Sequence, residues 1–137
     1  MVPFLDLKAQ YAEIKEEVNA AVMDVIESCQ FVLGDEVRAF EDDFAAYCNS
    51  DHCVALNSGT SALHLALLAL DIGPGDEVIT VSSTFIATVA VIKYVGATPV
   101  FVDVDKDSWT MDVNLIEEVI TPKTKVIMPV HLHGRVA

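Results

Sequence analysis

Residues 57–70, NSGTSALHLALLAL, decide the fold. Small polar residues and a glycine stand directly before a run that is apolar on nearly every side. Ser and Thr favour a helix start, where a side-chain oxygen can accept a free backbone N–H. A helix apolar all round belongs in a buried layer. Just before it, residues 52–57, HCVALN, form a short apolar run of strand length. The pattern of strand, polar junction and helix then recurs. EVITV (77–81) precedes FIATVAVIKYV (85–95), which Gly96 stops. TPVFVDV (98–104) precedes VNLIEEVI (113–120), capped by Asp112, and KVIMPV (125–130) precedes HLHGRVA (131–137). IGPGD (72–76) is a turn. Continuous apolar strands alternating with helices predict an α/β fold, a β-α-β-α-β-α-β parallel unit with both sheet faces covered.

The first part of the chain has a different texture. Tyr11, Ile14, Val18, Val22, Val25 and Ile26 fall at helical spacing, while Glu13, Glu16, Glu17 and Asp24 face away. The helix is expected to end near SCQFVLG (28–34), with Gly34 supplying a positive φ. Asp35 is expected to open a second helix, with Val37, Phe40, Phe44 and Tyr47 on one stripe and CNSD (48–51) at its end. The organisation expected is therefore a helical segment over 1–50 and a parallel α/β unit over 51–137.

Bulk properties bound the function. The 137 residues are 53% hydrophobic with a mean hydropathy of +0.43, enough for a well-buried core. No apolar run reaches the roughly 18 residues of a membrane span. The start, MVPFLDLKAQ, has neither a basic region nor a small-residue cleavage site, so no signal peptide is expected. Three cysteines (Cys29, Cys48, Cys53) without a CxxC pair suggest reduced thiols and a cytoplasmic protein. Net charge is −13, and no basic patch is available for nucleic acid or an anionic membrane.

In an open parallel sheet, ligands bind beyond the carboxyl ends of the strands. Four junctions lie there: NSGTS (57–61), SSTF (82–85), DVDKDS (103–108) and HLHG (131–134). NSGTS can bind an anion. A helix N-terminus has free N–H groups and partial positive charge, Gly59 permits close approach, and Ser58, Thr60 and Ser61 add hydroxyls. The alternative is a plain N-cap. SSTF adds Phe85, either a stacking surface for a flat ring or a core residue. Asp103, Asp105 and Asp107 alternate like the start of a calcium loop. Ser108 and Asn114 occupy the places of the required glycine and bidentate glutamate, so a solvated loop is the reading. His131 and His133 share a side on an extended chain, but two histidines do not make a metal site. His64 is expected to be a hydrogen-bonded core residue.

Five stretches together carry a resemblance: VPFLDLKAQY (2–11), FVLGDEVRAFEDDFAAYC (31–48), ALNSGTSALHLALLAL (55–70), IGPGDEVITVSSTFIATVAVIKYVGATPVFVDVD (72–105) and ITPKTKVIMPVHLHGRVA (120–137). In that order they closely resemble the N-terminal portion of the DegT/StrS family of sugar-nucleotide aminotransferases. These are pyridoxal 5′-phosphate (PLP) enzymes of the aspartate aminotransferase type, fold type I. The resemblance implies that Gly59, Thr60 and Ser61 cradle the cofactor phosphate and that Phe85 stacks on its pyridine ring. It also implies transfer of an amino group from glutamate to a keto sugar nucleotide, in polysaccharide or amino-sugar biosynthesis, by a homodimer with active sites at the subunit interface. HLHG stands where the family often has HLYG.

Two departures from the family pattern stand out. Val81 occupies the place of a proline just before the S-x-T-F segment, which implies a small change in backbone stiffness. Family members are also much longer. The aspartate that pairs with the pyridinium nitrogen and the Schiff-base lysine are expected outside these residues, so no catalytic residue is assigned here. Of the lysines, only Lys106 lies at a strand's carboxyl end, and nothing apolar surrounds it to lower its pKa. The chain by itself is therefore expected to be inactive. It then reads as part of the enzyme, as a phosphate-binding module or as an association module, and bare strand edges are expected to drive association.

Overall fold

The computed structural model describes residues 3–137; Met1 and Val2, with which the first matched stretch begins, lie outside the described residues. By contacts the chain divides into two compact units, one up to Ala55 and one from Leu56 to Ala137.

The first unit is helical. Helix α1 spans Leu7–Ser28, capped by Asp6, whose carboxylate accepts the Ala9 N–H at 3.0 Å. Its predicted stripe forms, but no residue of α1 is buried. Periodicity makes an amphipathic helix without supplying the surface that covers it. Helix α2 spans Asp35–Tyr47, where Phe40 stacks on Phe44 with ring centroids 5.6 Å apart. Asp35 opens the helix as expected, as its first residue, with Gly34 at the cap position. Gly34 itself has φ −76°, so the expected positive φ is not there. Cys29 and Leu33 take it instead, at 54° and 51°. Glycine is needed at 34 for space: a Cβ would sit 2.7 Å from the Gln30 carbonyl oxygen.

The second unit is the α/β layer. Strands β1 (Glu77–Val81), β2 (Thr98–Val102) and β3 (Thr124–Ile127) form one parallel sheet in the order β2-β1-β3. Helix α3 spans Gly59–Ala69, α4 spans Ala87–Tyr94, and the short α5 spans Ile116–Val119. Successive residues of β1 point to opposite faces. Val78 joins Leu67, Val91, Ile92 and Ala97 on one side. Ile79 and Val81 join Val102 and Met111 on the other, with α5 residues packed against them. Each fully buried Val or Ile side chain contributes about 1.5–3 kcal/mol. Thr80, also fully buried, donates its hydroxyl to the Met128 carbonyl at 3.0 Å and ties β1 to the segment after β3.

Two sequence expectations change. HCVALN is not a strand: residues 52–57 join no ladder, and the Ala55 N–H is taken by the Glu41 carboxylate at 2.7 Å. A strand exists only with a partner, and β1, β2 and β3 pair with one another alone. Helix α3 is also only half covered. Leu67 is buried, while Leu65 and Leu68 remain nearly half exposed.

Candidate functional site

Three of the four carboxyl-end junctions converge on one cavity of about 800 Å³, within the range of cofactor pockets. Gly59 and Thr60 come from the start of α3, Thr84 and Phe85 from the turn after β1, and His131 and His133 from the turn after β3. The DVDKDS junction does not line it.

The start of α3 is both an N-cap and an open donor site. Ser58 is extended (φ −163°, ψ 156°), and its hydroxyl oxygen accepts the Ser61 N–H at 3.1 Å. The same hydroxyl donates to Ser61 Oγ at 3.1 Å. Ser61 is thereby engaged inside the helix start and does not line the cavity. The N–H groups of Gly59 and Thr60 precede the first intrahelical bond, made by the Ala62 N–H to the Ser58 carbonyl at 3.1 Å. Gly59 has neither a positive φ nor a crowded Cβ position, with nothing within 4 Å of where a Cβ would stand. Neither backbone nor packing calls for glycine there. What glycine preserves is empty space beside two backbone donors, which suits an anion.

Phe85 is 72% exposed, so it is not a core residue. It sits two residues before α4, where its carbonyl accepts the Thr88 N–H at 3.1 Å. A large apolar ring held open at the cavity wall can cover a flat aromatic guest. The turn is further fixed by a hydroxyl pair that sequence reasoning missed, Thr84 Oγ1 and Thr88 Oγ1 at 2.9 Å. Their four-residue spacing at a helix start was the available signal.

Other candidate groups fall elsewhere. No lysine lines the cavity, Lys106 included. Among the described residues, no group of three or more His, Cys, Asp or Glu could hold a metal. His64 packs edge-on against Tyr94, with ring centroids 5.8 Å apart, rather than through the hydrogen bond expected for a core histidine.

The aspartate loop is closed by its own amides. Asp105 Oδ1 accepts the Ser108 N–H at 2.7 Å and the Asp107 N–H at 3.1 Å. The Ser108 amide above all, then the Ser108 hydroxyl and the Asp107 amide, hold the Asp105 carboxyl below the usual carboxylate range. The sign is that of a depressed acid. The loop's support is complete above the usual carboxylate range and is lost as pH falls through the lowered value. An NMR titration should find the Asp105 carboxyl midpoint below that of a free aspartate; a midpoint at or above it would remove this role.

Comparison with known proteins identifies the family. The model of the DegT/DnrJ/EryC1/StrS aminotransferase family matches residues 12–137. A dTDP-3-amino-3,4,6-trideoxy-alpha-D-glucose transaminase from Streptomyces venezuelae is 52% identical over 136 residues, which cover 99% of this chain and 36% of the relative. The crystal structure of S. venezuelae DesV in complex with a ketimine intermediate superposes with a TM-score of 0.94 at 51% identity, covering 99% of this chain and 37% of that one. NtdA from Bacillus subtilis, with bound cofactor PMP, superposes with a TM-score of 0.92 at 35% identity, covering 99% and 32%. The chain thus spans about a third of the length of these relatives.

Proposed function

The chain belongs to the DegT/DnrJ/EryC1/StrS aminotransferase family, and on that premise we propose that it is the cofactor-anchoring N-terminal portion of a PLP-dependent sugar aminotransferase. The parent enzyme transfers an amino group, with glutamate as donor, to a keto sugar nucleotide. Residues 1–50 form the helical entry segment of its large domain and residues 51–137 the start of its parallel α/β body. The enzyme is cytoplasmic and homodimeric in this reading. Its cysteines Cys29, Cys48 and Cys53 are unbridged, and no helix among the described residues is long and apolar enough to cross a membrane.

One observation carries the reading: the empty space kept by Gly59, beside two backbone donors and an exposed aromatic ring on the same cavity. The residues fit a planar, phosphorylated group. The Gly59 and Thr60 amides and the Thr60 hydroxyl would hold the phosphate, and Phe85 would cover the ring. Ser61 supports the helix start through Ser58. When bound, PLP supplies an electron sink that lets an amino group pass between two carbonyl compounds. The residues of this chain grip, orient and shield it. The imine-forming lysine and the carboxylate that partners the ring nitrogen come from sequence beyond these residues.

The 137-residue chain alone should therefore run no amino-donor half-reaction. Glutamate added in the presence of PLP should leave the cofactor spectrum unconverted beyond the rate without protein. Turnover by the purified chain would overturn the division of labour proposed.

A further inference from the structure

The donors that line the cavity can be counted by elimination. The Thr84 and Thr88 hydroxyls bond each other, which uses one of their two protons. Apart from the α3 amides and the one proton that the Thr84–Thr88 pair leaves over, the side-chain donors are the Thr60 hydroxyl and the imidazoles of His131 and His133; no lysine or arginine lines the cavity. Of the two imidazoles, one has its ring chemistry set by the fold. After β3 the chain makes a one-turn 3-10 helix at Leu132–Gly134, closed by the Gly134 N–H on the His131 carbonyl at 3.2 Å. His133 and Gly134 both take positive φ, 58° and 79°, which reverses the chain. The reversal brings the Ala137 N–H to His131 Nδ1 at 3.0 Å. A backbone N–H can only donate, so Nδ1 must accept. In the neutral ring the proton is then on Nε2.

We propose that His131 is a cofactor-binding residue, a neutral imidazole locked in the Nε2–H form that donates to an oxygen of the PLP occupying the cavity. The proposal rests on the cofactor reading above and adds to it a side-chain donor from the third junction. The lock matters because a free imidazole must choose its tautomer on binding, whereas this one presents a donor beforehand. The oxygen belongs either to the phosphate or to the pyridine ring; both are acceptors, and the probes below separate them.

The test uses the full-length polypeptide that carries this segment, with binding measured by equilibrium titration of PLP, of pyridoxal and of inorganic phosphate. His131→Phe should weaken PLP by about 10-fold, the loss of one hydrogen bond to a charged acceptor. His131→Gln, which keeps an N–H donor at a similar reach, should bind within about 3-fold of the wild type. Parallel losses for PLP and pyridoxal identify a ring oxygen. Losses for PLP and inorganic phosphate, with pyridoxal unchanged, identify the phosphate. Either pattern supports the donor role. Wild-type affinity in His131→Phe, or equal loss in the glutamine variant, overturns it.

Should His131→Phe fail to fold, imidazole 15N NMR of the wild-type protein still decides. The His131 Nε2 resonance must be the protonated one and must move on adding PLP; a protonated Nδ1 or an unmoved signal sinks the proposal. Gly59→Val separates the two levels. If it weakens PLP while His131→Phe does not, only the histidine role falls. If PLP does not bind the wild-type protein, both fall.

Discussion

Replacing Gly59 with valine should lower the affinity for PLP by roughly 100-fold while leaving the fold intact. The expectation rests on what surrounds the position. A Cβ at residue 59 meets no protein atom within 4 Å, so the variant has no clash to relieve. Position 59 is the first residue of α3 and does not use a positive φ, so a side chain there costs little backbone strain. Valine is also a better helix former than glycine. The branched side chain would nevertheless fill the space beside the Gly59 and Thr60 amides that an anion needs. Thr60→Ala removes one hydroxyl and keeps that space, so it should cost only about 10-fold. Spectral titration with PLP in the full-length polypeptide, alongside thermal melts, reads both quantities. Equal or reversed effects of the two substitutions would show that glycine has no close-approach role. A large drop in melting temperature for Gly59→Val would place the residue in the fold instead of the site.

The 137-residue chain by itself should associate at micromolar concentration. Within the second unit, both outer edges of the sheet, on β2 and β3, carry no partner strand among the described residues. Phe101 on β2, Ile127 on β3 and Leu65 and Leu68 on α3 are each between 44% and 48% exposed. Unpaired strand edges beside apolar surface recruit other chains. Charge opposes this: at −13, like chains repel. The two terms predict a distinctive salt response. Raising salt from about 20 mM to 500 mM screens the repulsion and leaves the apolar contact in place, so association should strengthen. Analytical ultracentrifugation should give an average mass above the 14.9 kDa of one chain, rising with salt. A sharp 14.9 kDa species at both salt concentrations would contradict the expectation, and association that weakens with salt would point to ion pairing instead.

The contrast between these two results follows from where each kind of information lies. The open helix start proposed as a phosphate cradle was legible in five residues, because a helix start is a local object. Ser58 caps, Gly59 opens and Thr60 lines, all within one turn. Ser61 matched the same pattern but is drawn into the cap by the Ser58 hydroxyl, a choice between two partners that spacing alone leaves open. Phe85 could be read as core or as a ring cover. Its 72% exposure at the cavity wall removes the core reading. His131 was visible as a residue but not as a donor. Its tautomer depends on the Ala137 amide, brought back by a reversal at His133 that a non-glycine residue rarely makes.

By itself the sequence determined the elements that depend on neighbours along the chain. These are the α1 and α2 stripes, the Asp112 cap, the three paired strands and the parallel α/β order. Hydrophobic period and capping act over a few residues, and the side chains that express them are adjacent in the text. Tertiary structure decided what depends on partners far away. It left HCVALN without a ladder, because no other segment pairs with it. It gave Gly34 a packing role beneath Gln30 in place of a positive φ. It also brought the first, second and fourth junctions to one cavity and left the third outside. A hydrogen-bonded edge or a shared cavity is a property of two or more segments at once, and no single stretch of chain contains it.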